Sequence, residues 1–223
     1  MTDPGTILAQ CDTLMLDMDG TLLDLAFDNH VWLEVVPVEY ARQNDLSEKQ
    51  ARAILYAKMR SLQGQLDWYC LDYWSELLDL DIVNLHRGVN HRIDYLPGAQ
   101  QFLEQVVAHD IRLLMVTNSH RGTLELKSEV TGVVEFFDAI YTSHDLGHPK
   151  EDQPFWQRLQ EAEAFEPERT LFVDDNISVL ASARTFGLDN LLAVTKPASD
   201  APVREISDFA TVEGVSEIAV RRV

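Results

Sequence analysis

Five short apolar runs, Leu14-Met15-Leu16, Ile111 to Val116, Ala139-Ile140-Tyr141, Leu171-Phe172-Val173 and Leu191 to Val194, each stop at polar or turn residues. Runs of this length without polar alternation read as strands buried on both faces. Helical stretches separate the last four, and parallel neighbours need a crossover of about a dozen residues or more. The pattern predicts an α/β fold, a Rossmann-like parallel sheet core with helices on both faces, in which ligands bind at the carboxyl ends of strands. One connection breaks the regularity. Almost a hundred residues separate the first strand from the second, and residues about 29 to 43, 47 to 62, 66 to 79 and 81 to 92 carry apolar positions at helical spacing. Asn44, Gly64 and Gly88 are the candidate breaks. This predicts an inserted α-helical cap domain, residues 24–94, in a core built from residues 1–23 and 95–223. The tail after Lys196-Pro197 reads as surface with a short final helix.

Charge narrows the partners. The chain of 223 residues has a formal net charge of −19, which repels nucleic acid and anionic membrane surfaces alike, and its few cations form no cluster in sequence. No run of 18 apolar residues occurs, and Met1-Thr2-Asp3-Pro4-Gly5 has neither the basic stretch nor the apolar run of a signal peptide. The expectation is a soluble, cytoplasmic protein that binds no nucleic acid and no membrane. Cys11 and Cys70 have neither metal-site nor disulfide-framework spacing, and read as structural thiols in a reducing compartment. The sequence does not set the oligomeric state, and a monomer is compatible with it.

The chemistry gathers at the strand ends. The first strand runs into Asp17-Met18-Asp19-Gly20-Thr21, and residues two apart on an extended segment point the same way. Asp17 and Asp19 therefore project together, which is costly unless a cation bridges them or one is protonated. Thr117-Asn118-Ser119 ends the second strand and offers a hydroxyl and backbone N–H groups to an anion, or an N-cap to the next helix. Lys150, stiffened by Pro149, is a cation after the third strand, or a surface lysine. Asp174-Asp175 ends the fourth, where it serves either a hard cation such as Mg²⁺ or the N-cap of a helix beginning near Ile177.

In this order the four motifs resemble those of the haloacid-dehalogenase-like hydrolase superfamily. A two-component receiver domain uses similar residues, but there the acidic pair comes first. The resemblance implies that Asp17 is the nucleophile forming an aspartyl phosphate and Asp19 the acid-base residue. It implies further that Thr117, Asn118 and Lys150 hold the phosphoryl group, and that Asp17, the Asp19 carbonyl, Asp175 and Asp174 hold Mg²⁺. Val179 stands where some relatives carry a further acid.

The cap selects the leaving group in the subclass this chain resembles. Leu66, Tyr69, Cys70, Tyr73 and Leu77 share one face of the helix expected over 66–79 and read as packing, while Trp68, Asp72 and Ser75 lie opposite. Trp68 there meets either a nucleobase or the core, beside the Asp72 carboxylate, and His120 either faces the cleft or lies on the surface. The run Leu16 to Asn29, the segment Trp68 to Glu76 and Pro149-Lys150-Glu151-Asp152-Gln153 are similar to the bacterial GMP/IMP nucleotidase family, with the likeness extending from about Leu14 to Val194. This resemblance implies hydrolysis of purine 5′-mononucleotides, small-molecule phosphate monoesters, to nucleoside and phosphate. The alternatives are a phosphatase for a sugar phosphate or phosphoglycolate, since the core motifs are shared, and a catalytically idle phosphate-binding module. A pure binder has no need for a protonatable acid beside a nucleophile.

Overall fold

The computed structural model describes residues 10–109 and 111–220, so the Met1 to Gly5 segment lies outside the described residues. Six strands form one parallel sheet: β1 (Thr13–Leu16), β2 (Arg112–Thr117), β3 (Ala139–Thr142), β4 (Thr170–Asp174), β5 (Asn190–Val194) and β6 (Ala210–Val212), in the order β3-β2-β1-β4-β5-β6. The chain order switches direction between β1 and β4, so the carboxyl ends of those two neighbours border the crevice in which open α/β sheets bind ligands.

The apolar runs are explained by two-sided burial. Leu14 and Leu16 of β1 pack on one face with Met115 and Val173, whereas Met15 packs on the other with Leu114 and Phe172. Each strand residue thus alternates between two cores, and both must be apolar. The five expected strands are present. The sixth is a correction: the tail reading placed only surface and a final helix after Pro197, yet β6 pairs with β5, and Val212, Val215 and Ile218 are buried. The only helical turn in that stretch among the described residues is 3₁₀, Val215–Glu217.

Between β1 and β2 lie helices α1 (Ala26–His30, continuing through a π turn Val31–Val35 into Val36–Gln43), α2 (Glu48–Leu62), α3 (Leu66–Tyr69), α4 (Leu71–Leu78) and α5 (Ile82–Gly88). They share a third core of Phe27, Val31, Leu55, Leu71, Trp74 and Leu78. The π turn has a local cause. Pro37 has no N–H to give the Leu33 carbonyl four residues back, and Arg52 from α2 donates to that carbonyl instead.

The helix expected over 66–79 is interrupted at Cys70, whose extended backbone (φ −85°, ψ 107°) ends α3 and whose thiol caps α4 by accepting from the Tyr73 N–H. The break resets the helical phase, so the packing stripe differs from the expected one. Leu71, Trp74 and Leu78 are the buried positions, and Leu77 is exposed. The last helix of this stretch also ends earlier than 92, at Gly88, followed by a 3₁₀ turn Asn90–Arg92.

The remaining helices are α6 (Ala99–Val107), α7 (Arg121–Thr131), α8 (Ser143–Leu146), α9 (Gln153–Ala162) and α10 (Ile177–Phe186). Among the described residues no helix is long and apolar enough to cross a membrane.

Candidate active site

Strand ends bring the motifs together. Asp17 extends β1 by one residue, its N–H donating to the Val173 carbonyl of β4, which sets its carboxyl beside that of Asp174 at the end of β4. Carboxylate oxygens of Asp17, Asp174 and Asp175 lie within 4.8 Å of one another. Met18 points away into the core and is fully buried, as alternation requires. Gly20 adopts φ +84°, and a Cβ there would come within 2.9 Å of both the Asp175 carboxyl carbon and Pro197. Only glycine lets the loop fold this tightly against the second carboxylate pair.

Lys150 is buried rather than on the surface, and its Nζ donates to Asp17 Oδ1 at 2.5 Å, Asp174 Oδ2 at 2.7 Å and the Val116 carbonyl at 3.1 Å. Its backbone is pinned on both sides. The Lys150 N–H donates to Asn118 Oδ1 at 2.9 Å, and the Trp156 indole donates to the Lys150 carbonyl at 2.8 Å. The Asn118 side chain is therefore committed to the loop that carries Lys150, its amide also donating to Glu151 at 3.0 Å. Thr117 is buried with its hydroxyl accepting from the Ser119 N–H. The capping alternatives fall to neighbouring residues: His120 caps α7 and Asn176 caps α10.

A second buried cation, Lys127 of α7, carries no motif that marks it in the sequence. Its Nζ lies 2.6 Å from Asp19 Oδ1 and 2.8 Å from both oxygens of Asp28 in α1. The signal lay in helical phase: Thr123 and Leu124 are buried, and Lys127, one turn on, shares their inward face. Arg204 completes the set, 3.4 Å from Asp175 Oδ2.

Burial dominates the titration of this cluster. It pushes Asp17 up to about 7 against the opposing pull of Lys150, with Asp174 and Asp19 adding to the rise. Asp174 rises to about 6 by burial, again against Lys150. Asp175 rises to about 7 by burial and the Asp17 charge, opposed by Arg204. Asp19 is raised by burial against Lys127, with Asp28 pushing the same way as burial. Burial alone would lower both lysines, but their carboxylate partners outweigh it and hold them above the ordinary range. In this ion-paired set, five carboxylates face three cations. The deficit of two positive charges and an all-oxygen donor set fit one hard divalent ion such as Mg²⁺.

The carboxylates form the floor of a cavity of about 520 Å³ whose other walls come from the helical insertion and from the segments that follow β2 and β4. Trp32 on the π turn, Trp68, Tyr69, Trp74 and His86 line it, as does His120. Trp74 holds the aromatic group together. Its ring centroid lies 5.4 Å from Trp32 and 6.4 Å from Trp68, and its indole donates to the Trp68 carbonyl at 2.9 Å. Tyr69 donates to Glu151 at 2.6 Å, linking the insertion to the loop of Lys150. Asp72 stands outside the cavity lining, exposed, with its carboxylate 3.7 Å from His120 Nε2. Val179 is fully buried in the apolar core and offers no ligand atom.

A parallel sheet in this order, with paired carboxylates and a buried lysine at its switch point, defines an α/β protein with an acidic, cation-binding site at its strand ends. The model of the haloacid dehalogenase-like hydrolases matches residues 11–187, and the chain belongs to that family. It is 40% identical over 188 residues to the GMP/IMP nucleotidase YrfG of Escherichia coli (strain K12), a match covering 84% of this chain and 85% of that protein. Among solved structures, the HAD phosphatase from Thermococcus onnurineus superposes with a TM-score of 0.77 at 21% identity, over 92% of this chain and 95% of that one. The L-2-haloacid dehalogenase from Xanthobacter autotrophicus does so with a TM-score of 0.61 at 18% identity, over 93% and 96%. These two likenesses bear on the fold. The chain is an enzyme, a haloacid dehalogenase-like phosphatase, which sets aside the idle binding module.

Proposed function

We propose that the chain is a Mg²⁺-dependent 5′-nucleotidase that hydrolyses GMP and IMP to nucleoside and phosphate, with residues 24–94 acting as a cap domain over a core of residues 1–23 and 95–223. The observation that carries the substrate reading is the similarity to a GMP/IMP nucleotidase, which at 188 residues exceeds what the core segments contain and so runs through the insertion. The cavity supports it. About 520 Å³ is within the usual range for small-molecule sites, and Trp32 and Trp68, packed on the buried Trp74, give the insertion side aromatic faces of the kind on which bases stack. Asp72, outside that lining, is given no part in reading the base.

The roles follow from position. Asp17 attacks phosphorus, its oxygen–phosphorus bond forming as the bond from phosphorus to O5′ breaks, and Asp19 gives its proton to the departing oxygen. Asp19, now ionised, takes a proton from the water that attacks the aspartyl phosphate, releasing phosphate and restoring Asp17. Burial favours the protonated form of Asp19 that the first half-reaction needs, while Lys127 keeps the ionised form of the second within reach. Lys150, the Thr117 hydroxyl and the Asn118 peptide hold the phosphoryl oxygens, with the Asn118 side chain fixing Lys150. Mg²⁺, held by Asp17, Asp175, the Asp19 carbonyl and Asp174 directly or through water, would neutralise phosphate charge and favour ionised Asp17.

Phosphate release in the presence of Mg²⁺, measured across GMP, IMP, AMP, pyrimidine nucleotides, sugar phosphates and phosphoglycolate, tests the reading. GMP and IMP are expected to give the highest kcat/KM. Preference for a sugar phosphate or phosphoglycolate would reassign the substrate and leave the core chemistry standing.

A further inference from the structure

Where the insertion meets the sheet, a second group of donors converges, with chemistry softer than that of the carboxylates. The thiol of Cys70, between α3 and α4, and one ring nitrogen each of His120, on the β2–α7 connection, and His144, in α8, lie within 4.8 Å of one another. The two imidazoles meet edge to face with centroids 4.9 Å apart. Sequence spacing hides the group, because its members are separated by 50 and 24 residues.

Three observations point to a ligand. The Nε2 of His144 is buried without a hydrogen-bond partner, an orphan of the kind that a metal satisfies. Burial and the neighbouring His120 hold His144 below its ordinary range, which favours the neutral imidazole that binds metal. The Cys70 thiol is outside any disulfide and half-buried, and the weak contact it accepts, from the Tyr73 N–H at 3.4 Å, leaves it free to bind. A thiolate with two imidazoles is the donor set of tetrahedral Zn²⁺ sites, and Zn–N and Zn–S bonds of about 2.0–2.3 Å place ligand atoms roughly 3.5 Å apart. Side-chain adjustments of about an ångström close that gap.

We propose that Cys70, His120 and His144 form a second cation site that takes Zn²⁺ or another thiophilic divalent ion, with water or the Asp72 carboxylate as fourth ligand. Binding exchanges the Cys70 thiol proton, released to solvent, for the metal, and His120 gives up the 3.3 Å contact that its Nδ1 accepts from the Gly122 N–H, Nδ1 either binding the ion or taking the proton from Nε2. Cys70 and Asp72 belong to the helical insertion, whereas His120 and His144 follow β2 and β3. An ion at this site therefore ties the insertion to the sheet. On the reading that the insertion is a cap that opens to release product, occupancy slows turnover without displacing Mg²⁺ from the carboxylates.

The test separates the site from its effect. Protein stripped of metal is titrated with Zn²⁺ in excess Mg²⁺ against a chromophoric chelator, and with Co²⁺, whose thiolate charge-transfer band reports sulfur ligation. One Zn²⁺ per chain is expected, with a cobalt–thiolate band. Cys70→Ser, which keeps an oxygen to cap α4, should abolish the band, and it and His144→Gln should each weaken Zn²⁺ binding by at least about tenfold, the scale on which even outer partners of a metal site act. Binding of Zn²⁺ unchanged in both variants, no binding over Mg²⁺, or loss only in Asp175→Asn would overturn the site. Inhibition of phosphate release by Zn²⁺ that persists unchanged in Cys70→Ser would overturn the tie between insertion and sheet, whatever the substrate.

Discussion

Replacing Lys127 with methionine strands two carboxylates that now share one ammonium group. The lysine is 1% exposed, its Nζ 2.6 Å from Asp19 and 2.8 Å from Asp28, so no water takes its place cheaply. A buried Asp forced to fold protonated at pH 7, about 3 units above its ordinary value, costs roughly 4 kcal/mol. This agrees with the about 3–5 kcal/mol lost when one partner of a buried ion pair is removed. The sign with pH follows. In the variant the folded Asp19 holds a proton that the unfolded chain has released, so stability falls as pH rises above about 4. Urea unfolding of Lys127→Met should therefore show a deficit of about 4 kcal/mol at pH 7 that shrinks to less than half at pH 5. Phosphatase turnover should drop about 10²–10⁴-fold, the contribution of a general acid-base group that can no longer cycle. Adding Asp28→Asn removes one stranded charge and should recover part of the stability, but not the activity, since Asp19 remains without its cation. A single variant within about 1 kcal/mol of the parent at pH 7, or with full kcat, would refute the reasoning.

Two further outcomes test other parts of the structure. Burial pulls His86 down to about 4, its Nδ1 lying 2.7 Å from the Ile82 carbonyl, so between pH 6.5 and 4 the folded state binds fewer protons than the unfolded one. Acid should therefore cost the parent about 3 kcal/mol through this residue by pH 4. Urea curves of the parent should fall toward those of His86→Gln, which lacks the titration; parallel curves would contradict the assignment. Tyr69→Phe removes the hydroxyl that donates to Glu151 across the insertion, a bond to a charged group worth about 1.5–3 kcal/mol. KM is expected to rise about tenfold or more with kcat changed less than about threefold; a collapse of kcat with unchanged KM would place Tyr69 in the chemistry instead.

The contrast between Asp19 and Lys127 shows what sequence patterning carries. Asp17 and Asp19 were legible because an extended strand end fixes where alternate residues point, and because two carboxylates side by side demand a cation. Lys127 was not, because one lysine within a mostly polar helix looks solvated until the helix phase puts it beside Thr123 and Leu124. The helices between β1 and β2 are visible in their periodicity, but their phase is lost at Cys70, where a thiol rather than Gly or Pro caps the new helix. Trp32 enters the cavity from a π turn forced by Pro37, a geometry that a 3.6-residue wheel does not represent. With three residues, β6 is too short for any period to register, and it is held by pairing along β5.

Rapid quenching of the wild-type enzyme during turnover of GMP with Mg²⁺, followed by borohydride reduction and peptide mass analysis, tests the central claim most directly, because reduction converts an aspartyl phosphate to homoserine. Homoserine at position 17, absent at position 19 and absent when GMP is omitted, is the expected result. Steady hydrolysis of GMP with Asp17 unmodified, or homoserine at any other aspartate, would contradict it.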